Sequence, residues 1–367
     1  MLITRQQSAA MRGIAILGIV LHNYTHWLRP MVKENEFTYN QYNVDQLLRE
    51  LAAPTYEIFA HLLSFFGHYG VPVFLFLSAY GLVVKYEKPV CMSGESPAHP
   101  KPQDSAWQFI VAHCKKLFVM MAVGYSAFVL VDYMTPRPRH YGFGDVVGQL
   151  LMLNNLNPEP DKVIWPGPFW YFGLMVQIYI FYRLVLYCGK GSVSGKLSRW
   201  ARGRMAFAIL LVTLFAQLFF DPAGGALNWY RYNIFGALPV FIFGLLFARN
   251  MYAKQTAPWQ YAVLSLLAMI MCLALSTDFF LWILVPFFVC ISVFCLVKSM
   301  PLAVTRMLAW VGNISAAMFV CHAITRKVLI PISHRGEIYA GLLLYLVATI
   351  VLAVLFDYLI KLIMKKK

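Results

Sequence analysis

The sequence predicts an all-α, polytopic membrane helix bundle of about ten transmembrane helices, with both termini on the cytoplasmic side. Three observations lead there. Of 367 residues, 60% are hydrophobic and 13% charged, whereas a water-facing globular surface needs roughly a quarter charged; the mean hydropathy is +0.62. Ten apolar runs are long enough to cross a hydrocarbon core roughly 30 Å thick, which takes about 20 helical residues. With the N-terminus inside, 21 of the lysines and arginines fall at cytoplasmic ends and 10 outside, against 4 acidic residues inside and 12 outside. That asymmetry follows the positive-inside rule, so the net charge of +15 is mainly topological. Nucleic acid is excluded as a partner, because the basic residues sit at successive helix ends instead of sharing one soluble face. Seven cysteines, an odd number without a CxxC pair, exclude a disulfide framework and a standard zinc site.

The runs fall near residues 9 to 28, 66 to 84, 109 to 132, 168 to 188 and 205 to 220. The other five lie near 232 to 249, 258 to 276, 279 to 297, 306 to 326 and 338 to 360. The first resembles a secretory signal, but it lacks a small-x-small cleavage site, is too long and carries Arg12, which suits a retained anchor helix. Residues 29–65 and 133–167 form outer loops. Residues 85–106, rich in proline, form a cytoplasmic loop. The stretch 146–156 is too short to span and is bracketed by Pro136, Pro138, Pro158 and Pro160, which suits an interfacial or re-entrant helix. Basic clusters such as Lys196, Arg199, Arg202 and Arg204, and Lys365 to Lys367, mark inner ends. The chain, 1–367, is expected to form a single membrane domain integral to the inner membrane of the cell.

A charge at mid-bilayer costs about 2.5–3.5 kcal/mol even on the lenient insertion scale, so each one calls for an interior partner or a task. In the first span, Arg12, His22, Asn23 and His26 all line one half of a helix: at about 100° per residue His22 lies about 80° from Arg12, Asn23 about 20°, and His26 about 40° on the other side. Along the axis Arg12 and His22 are about 15 Å apart. His322 and Arg326, four apart on the ninth run, form a second cluster. Gln177 is an amide in mid-span, suited to another helix or a ligand, and Trp170 and Tyr171 sit in an aromatic belt at the start of the fourth run. Lys115 and Lys116 follow the cytoplasmic loop. His22, His26 and His322 could bind a metal by ligand type, but no carboxylate accompanies them at that depth in the chain pattern, so no metal is expected.

Four stretches resemble the acyltransferase-3 family of integral membrane O-acyltransferases: RGIAILGIVLH, FGHYGVPVFLFLSAYGL, FWYFGLMVQIYIFYRL and NISAAMFVCHAITR, in order over residues 12 to 326. The resemblance implies transfer of an acetyl or other short acyl group from cytoplasmic acyl-CoA to a hydroxyl of a cell-surface glycan or its lipid-linked precursor. Arg12 matches the first-helix arginine and His22 the histidine proposed as general base. Ser78 matches the second-helix serine, with Ala79 where glycine is usual, and His322 matches the late-helix histidine. Nine residues separate Arg12 from His22 where the family usually has ten, so Asn23 takes the expected position and His26 is the alternative base. Gln177 stands where many members carry an acid.

On this reading His22, Asn23, His26 and His322 are the catalytic set: a histidine takes the acceptor's proton, and Asn23 or His322 donates to the oxyanion. Arg12, Lys115 and Lys116 hold the phosphates of acetyl-CoA, the donor substrate. Trp170, Tyr171, Gln177 and Arg326 contact the acceptor. The expected partners are acyl-CoA, a glycan or lipid-linked saccharide, and membrane lipid. Two other readings use the same residues: a transporter or flippase for a glycan or organic anion, which binds substrate with the buried cations, and an inactive scaffold.

Overall fold

The computed structural model describes residues 3–87, 105–250 and 256–365. Most of the loop expected over 85–106 lies outside the described residues. Among those described there are helices and connecting segments but no strand. Helix α1 (Arg5–Thr25) starts in a capping box in which Thr4 and Gln7 satisfy each other's backbone N–H groups. An irregular strap leads to the short helix α2 (Gln41–Ala52). The second apolar run is one rod, Ile58–Glu87, made of α3 (Ile58–Phe66), a tight turn Gly67–Tyr69, α4 (Gly70–Leu82) and a wide last turn Val83–Glu87. Then come α5 (Ala106–Met134), α6 (Phe143–Leu150), α7 (Trp170–Phe181), α8 (Arg199–Phe215), α9 (Gly225–Tyr232) and α10 (Ile234–Asn250). The chain closes with α11 (Pro258–Leu275), α12 (Val285–Ser299), α13 (Leu302–Asn313), α14 (Ser315–Ser333) and α15 (Ile338–Lys365).

Among the described residues, seven helices are long and apolar enough to span a membrane, or eight if α9 and α10, bent by 46°, act as one. The difference from ten apolar runs has physical causes. Helix α1 has the length, 21 residues, but Arg5, Gln6, Gln7, Arg12, His22 and Asn23 dilute the apolar stretch. The eighth run is divided between a short turn at Phe279–Trp282 and the 15-residue α12. The ninth breaks at Asn313–Ile314: α13 ends at Asn313, and α14 starts at Ser315 and runs on to Ser333. His322 and Arg326 therefore sit in the middle of a helix. The stretch 146–156 becomes α6 and a turn at Asn154–Leu156, too short to span.

Helix α1 is the axis of the fold, because glycines let three partners touch its backbone. A Cβ on Gly13 would lie 2.1 Å from the Leu308 carbonyl oxygen of α13, and one on Gly312 would lie 1.8 Å from the Ala9 carbonyl oxygen. On another face, a Cβ on Gly67 would meet the Gly18 oxygen at 2.5 Å and His22 Cβ at 2.6 Å, and one on Gly70 the Ala15 oxygen at 2.3 Å. Without a hydrophobic drive between helices in lipid, such close backbone packing is what holds them. Polar contacts set the rotation of α1: Tyr24 Oη lies 2.8 Å from Ser333 Oγ, and Tyr345 Oη donates to the Val20 carbonyl at 3.1 Å.

At the end that carries the start of α1, an ion pair joins three rods. Arg249 Nε and Nη2 donate to the two oxygens of Glu87 at 2.8 and 2.9 Å, and Nη2 also donates to the Leu186 carbonyl at 2.7 Å. Tyr182 Oη donates to Glu87 at 3.1 Å. Glu87 is buried, so this pair has the bidentate geometry and extra hydrogen bonds that a desolvated charge requires.

Candidate functional site

At the opposite end of α1, a cavity of about 210 Å³ opens between α1, the strap 26–40, the turn Gly67–Tyr69, the start of α7 and α14. Its chemistry begins with helix periodicity. His22, Asn23 and His26 project from the last turn and cap of α1, and all three line the cavity. The Nδ1–H of His22 donates to the Ser64 carbonyl at 2.8 Å. A carbonyl can only accept, so the neutral imidazole keeps its lone pair on Nε2. Its ring centre is 5.4 Å from that of His26 and 5.5 Å from that of His68.

His26 Nδ1 lies 2.5 Å from Glu34 Oε2, and Lys33 Nζ donates to the His26 carbonyl. Burial pushes the Glu34 carboxyl up, but the hydrogen bond with His26 and the field of the neighbouring imidazoles outweigh it and hold the group at about 2. Glu36, two residues on, also lines the cavity; burial and the Glu34 charge drive its carboxyl well above the usual range, against the pull of Arg231. The two acids of the strap are thus pushed in opposite directions, Glu34 down and Glu36 up. The absence of a carboxylate near the histidines, expected from the chain pattern, is corrected here: His22, His26 and Glu34 place ligand atoms within 4.8 Å of one another.

Arg326 reaches in from α14. Its Nη1 donates to the backbone oxygen of Asn23 at 3.2 Å and to Asn23 Oδ1 at 3.4 Å, and the guanidinium lies 5.0 Å over the Trp27 ring. It has no carboxylate partner among the described residues. His322 lies one turn before it, fully buried behind Phe319, with ring centres 5.8 Å apart. The Nδ1–H of His322 donates to the Phe319 carbonyl at 2.8 Å, and Nε2 is buried with no partner among the described residues.

The remaining wall is aromatic. Phe37 stacks on Tyr232 at 3.8 Å and meets Trp170 edge-on at 5.2 Å, while Trp27 meets Trp165 edge-on at 6.2 Å. A smaller chamber of about 60 Å³ continues behind Glu36, Phe37, His68 and Trp170 towards Arg231.

The structure brings His22, Asn23, His26, Trp170 and Arg326 to one cavity, with His322 in the layer behind. Tyr171 packs against Phe319 with ring centres 5.4 Å apart and lies outside the cavity's lining. Gln177 lies elsewhere, tying α7 to the α9–α10 break: its Nε2 donates to Asn233 Oδ1 at 2.8 Å, and its Oε1 accepts from the Ile234 N–H at 2.9 Å. Arg12, Lys115 and Lys116 are outside this cavity's lining. The two lysines are exposed on α5, and Arg12 is half-buried with Nε unpartnered among the described residues.

Glu34, Glu36 and His68 were not singled out from the sequence. The two acids sit in a loop otherwise assigned to solvent, eight and ten residues after His26, and His68 occupies one of the matched stretches, FGHYG, without a partner visible in the chain.

No curated protein and no solved structure matches the chain. A family match to the acyltransferase domain of the acyltransferase-3 type covers residues 8–360, nearly the whole chain and every element around the cavity. The chain belongs to this acyltransferase family, and with its apolar helices it is an integral membrane acyltransferase.

Proposed function

We infer that the protein moves a short acyl group, acetyl in the simplest case, from cytoplasmic acyl-CoA to a hydroxyl of a cell-surface glycan or its lipid-linked precursor, in the inner membrane. The observation that carries this reading is the cavity at the end of α1. It pairs an oriented imidazole lone pair on His22 with a cation, Arg326, and an aromatic wall. The C–H faces of a saccharide pack against aromatic rings, while its hydroxyls need acceptors such as Glu34 and donors such as Arg326.

In this reading His22 Nε2 takes the proton of the acceptor hydroxyl, and the alkoxide oxygen attacks the thioester carbonyl. Arg326 answers the developing negative charge, since its guanidinium lines the cavity and its hydrogen bonds to Asn23 hold it in place. His322 suits that task less, because its one N–H already donates to a backbone carbonyl. Collapse of the tetrahedral intermediate breaks the C–S bond, and the thiolate leaves with the proton from His22. The charge asymmetry of the sequence puts the Arg12 end in the cytoplasm. Arg12, with Lys115 and Lys116, then meets the phosphates of the donor about 15 Å along α1 from His22, a distance comparable to the reach of a pantetheine arm.

The test is mass spectrometry of surface glycans from cells carrying the wild-type chain, His22→Ala or His26→Ala, each checked for membrane expression. Loss of one acyl mass with His22→Ala supports the assignment; loss with His26→Ala alone moves the base to His26. Full acylation in both variants overturns it. Purified protein should also hydrolyse or transfer the acetyl group of acetyl-CoA, whereas a transporter would move its substrate unchanged.

A further inference from the structure

Acyl transfer by a lone imidazole leaves the crowding at the end of α1 unexplained. His22 and His26 are four residues apart, so they stand one turn apart on the same helix face. Glu34 comes from the strap eight residues later and closes on His26 at 2.5 Å. Two imidazoles at i and i+4 with a carboxylate from a following segment form the donor set of an open zinc site, in which the fourth position is left to solvent or substrate.

Two further features agree. A metal-bound imidazole usually donates its other ring N–H to a carbonyl or carboxylate, which aims the ligating nitrogen, and His22 makes that bond to Ser64. Imidazoles sharing one tetrahedral ion, with bonds of about 2.0–2.1 Å, have ring centres about 5.2 Å apart; those of His22 and His26 are 5.4 Å apart. Ligand atoms on such an ion lie about 3.3–3.4 Å from each other. Here all lie within 4.8 Å, so closing on an ion requires the Glu34 and His26 side chains to draw in by about 1.4 Å.

We propose that His22, His26 and Glu34 bind one divalent first-row cation, zinc by their donor chemistry, with its open position facing the cavity. A consequence for catalysis rests on the acyl-transfer reading above. With the ion in place, the His22 lone pair is a ligand, and the cation polarises the acceptor hydroxyl in its stead. The hydroxyl proton passes to His68, whose ring nitrogens are buried without a partner among the described residues and whose ring lies 5.5 Å from that of His22. The oxygen attacks the thioester carbon, the C–S bond breaks, and the thiolate takes the proton from His68.

The experiment uses the full chain purified in detergent without chelator, equilibrated with buffered zinc and freed of excess. Elemental analysis should find about one zinc per chain, and X-ray absorption should place nitrogen and oxygen ligands at about 2.0–2.1 Å. His22→Ala, His26→Ala and Glu34→Ala should each weaken zinc binding by more than about tenfold, while His334→Ala, which removes an exposed histidine beyond the cavity, should bind as wild type. Glu34→Gln keeps a hydrogen-bonding side chain and guards against misfolding; it too should bind weakly. Retention of zinc by all the variants, or a wild-type protein that takes up none, overturns the proposal. Full acyl transfer by the zinc-free protein overturns the catalytic consequence of the ion and leaves the histidine base standing. Stoichiometric zinc at these ligands without acyl transfer in any form leaves the metal site standing and overturns the acyl-transfer reading.

Discussion

Gly67→Ala puts one methyl group at the point where the second rod meets α1, and the structure states what it would strike. The new Cβ would lie 2.5 Å from the Gly18 carbonyl oxygen and 2.6 Å from His22 Cβ, where ordinary contacts begin at 3.4 Å. Relief requires a separation of nearly 1 Å. Helix α1 cannot slide away freely, because Gly13 and Gly312 already hold it against the backbone of α13. Overpacking of this kind costs about 1–3 kcal/mol. Against it stands the ordinary gain on replacing a glycine whose backbone angles suit any residue, about 0.4–1 kcal/mol. Net destabilisation of about 1–2 kcal/mol is expected from these two effects. Displacing His22 by such a distance should also lower acyl transfer by up to about 100-fold. Thermal unfolding in detergent and glycan acylation in cells measure the two effects. Gly81→Ala is the matched control, since a Cβ there meets nothing within 4 Å and its helix should gain up to about 1 kcal/mol. If Gly67→Ala melts higher than wild type and acylates fully, the packing account of how His22 is positioned is wrong.

The other predictions concern single side chains. Glu87→Ala leaves the Arg249 charge without its bidentate partner, at a cost of about 3–5 kcal/mol; an unchanged melting temperature would deny the pair its stapling role. Arg326→Ala should lower kcat by about 100- to 1,000-fold if the guanidinium stabilises the oxyanion, with partial recovery in Arg326→Lys, and an effect confined to KM would assign it to binding alone. Arg12→Ala should raise the KM for acyl-CoA and leave kcat largely intact, because only donor phosphates are served; equal affinity for acyl-CoA refutes that assignment. Gln177→Leu strands Asn233 Oδ1 and the Ile234 N–H, costing about 1–3 kcal/mol without altering acceptor KM, and a selective rise in acceptor KM would instead return Gln177 to substrate binding.

Forces that act along the chain are legible without a fold. Apolar runs and the distribution of charge specify a membrane helix bundle, since a backbone in lipid must satisfy its hydrogen bonds within each helix. Helix periodicity placed Arg12, His22, Asn23 and His26 on one half of α1; the last three line the cavity and Arg12 does not. Tertiary structure decided the rest, because it depends on which segments return to touch. Arg326 meets Asn23 across 303 positions of sequence, a contact no local pattern encodes. Glu34 and Glu36 sit in a polar loop that hydropathy assigns to water, yet the strap folds back over the end of α1 and turns one into the partner of His26. Gln177 carried the same buried-amide signal as a ligand-binding residue, and only the position of Asn233 reveals the hydrogen bonds that occupy it. The break at Asn313–Ile314 moves Arg326 from the end of an apolar run to the interior of α14, a change that hydropathy along the chain does not register.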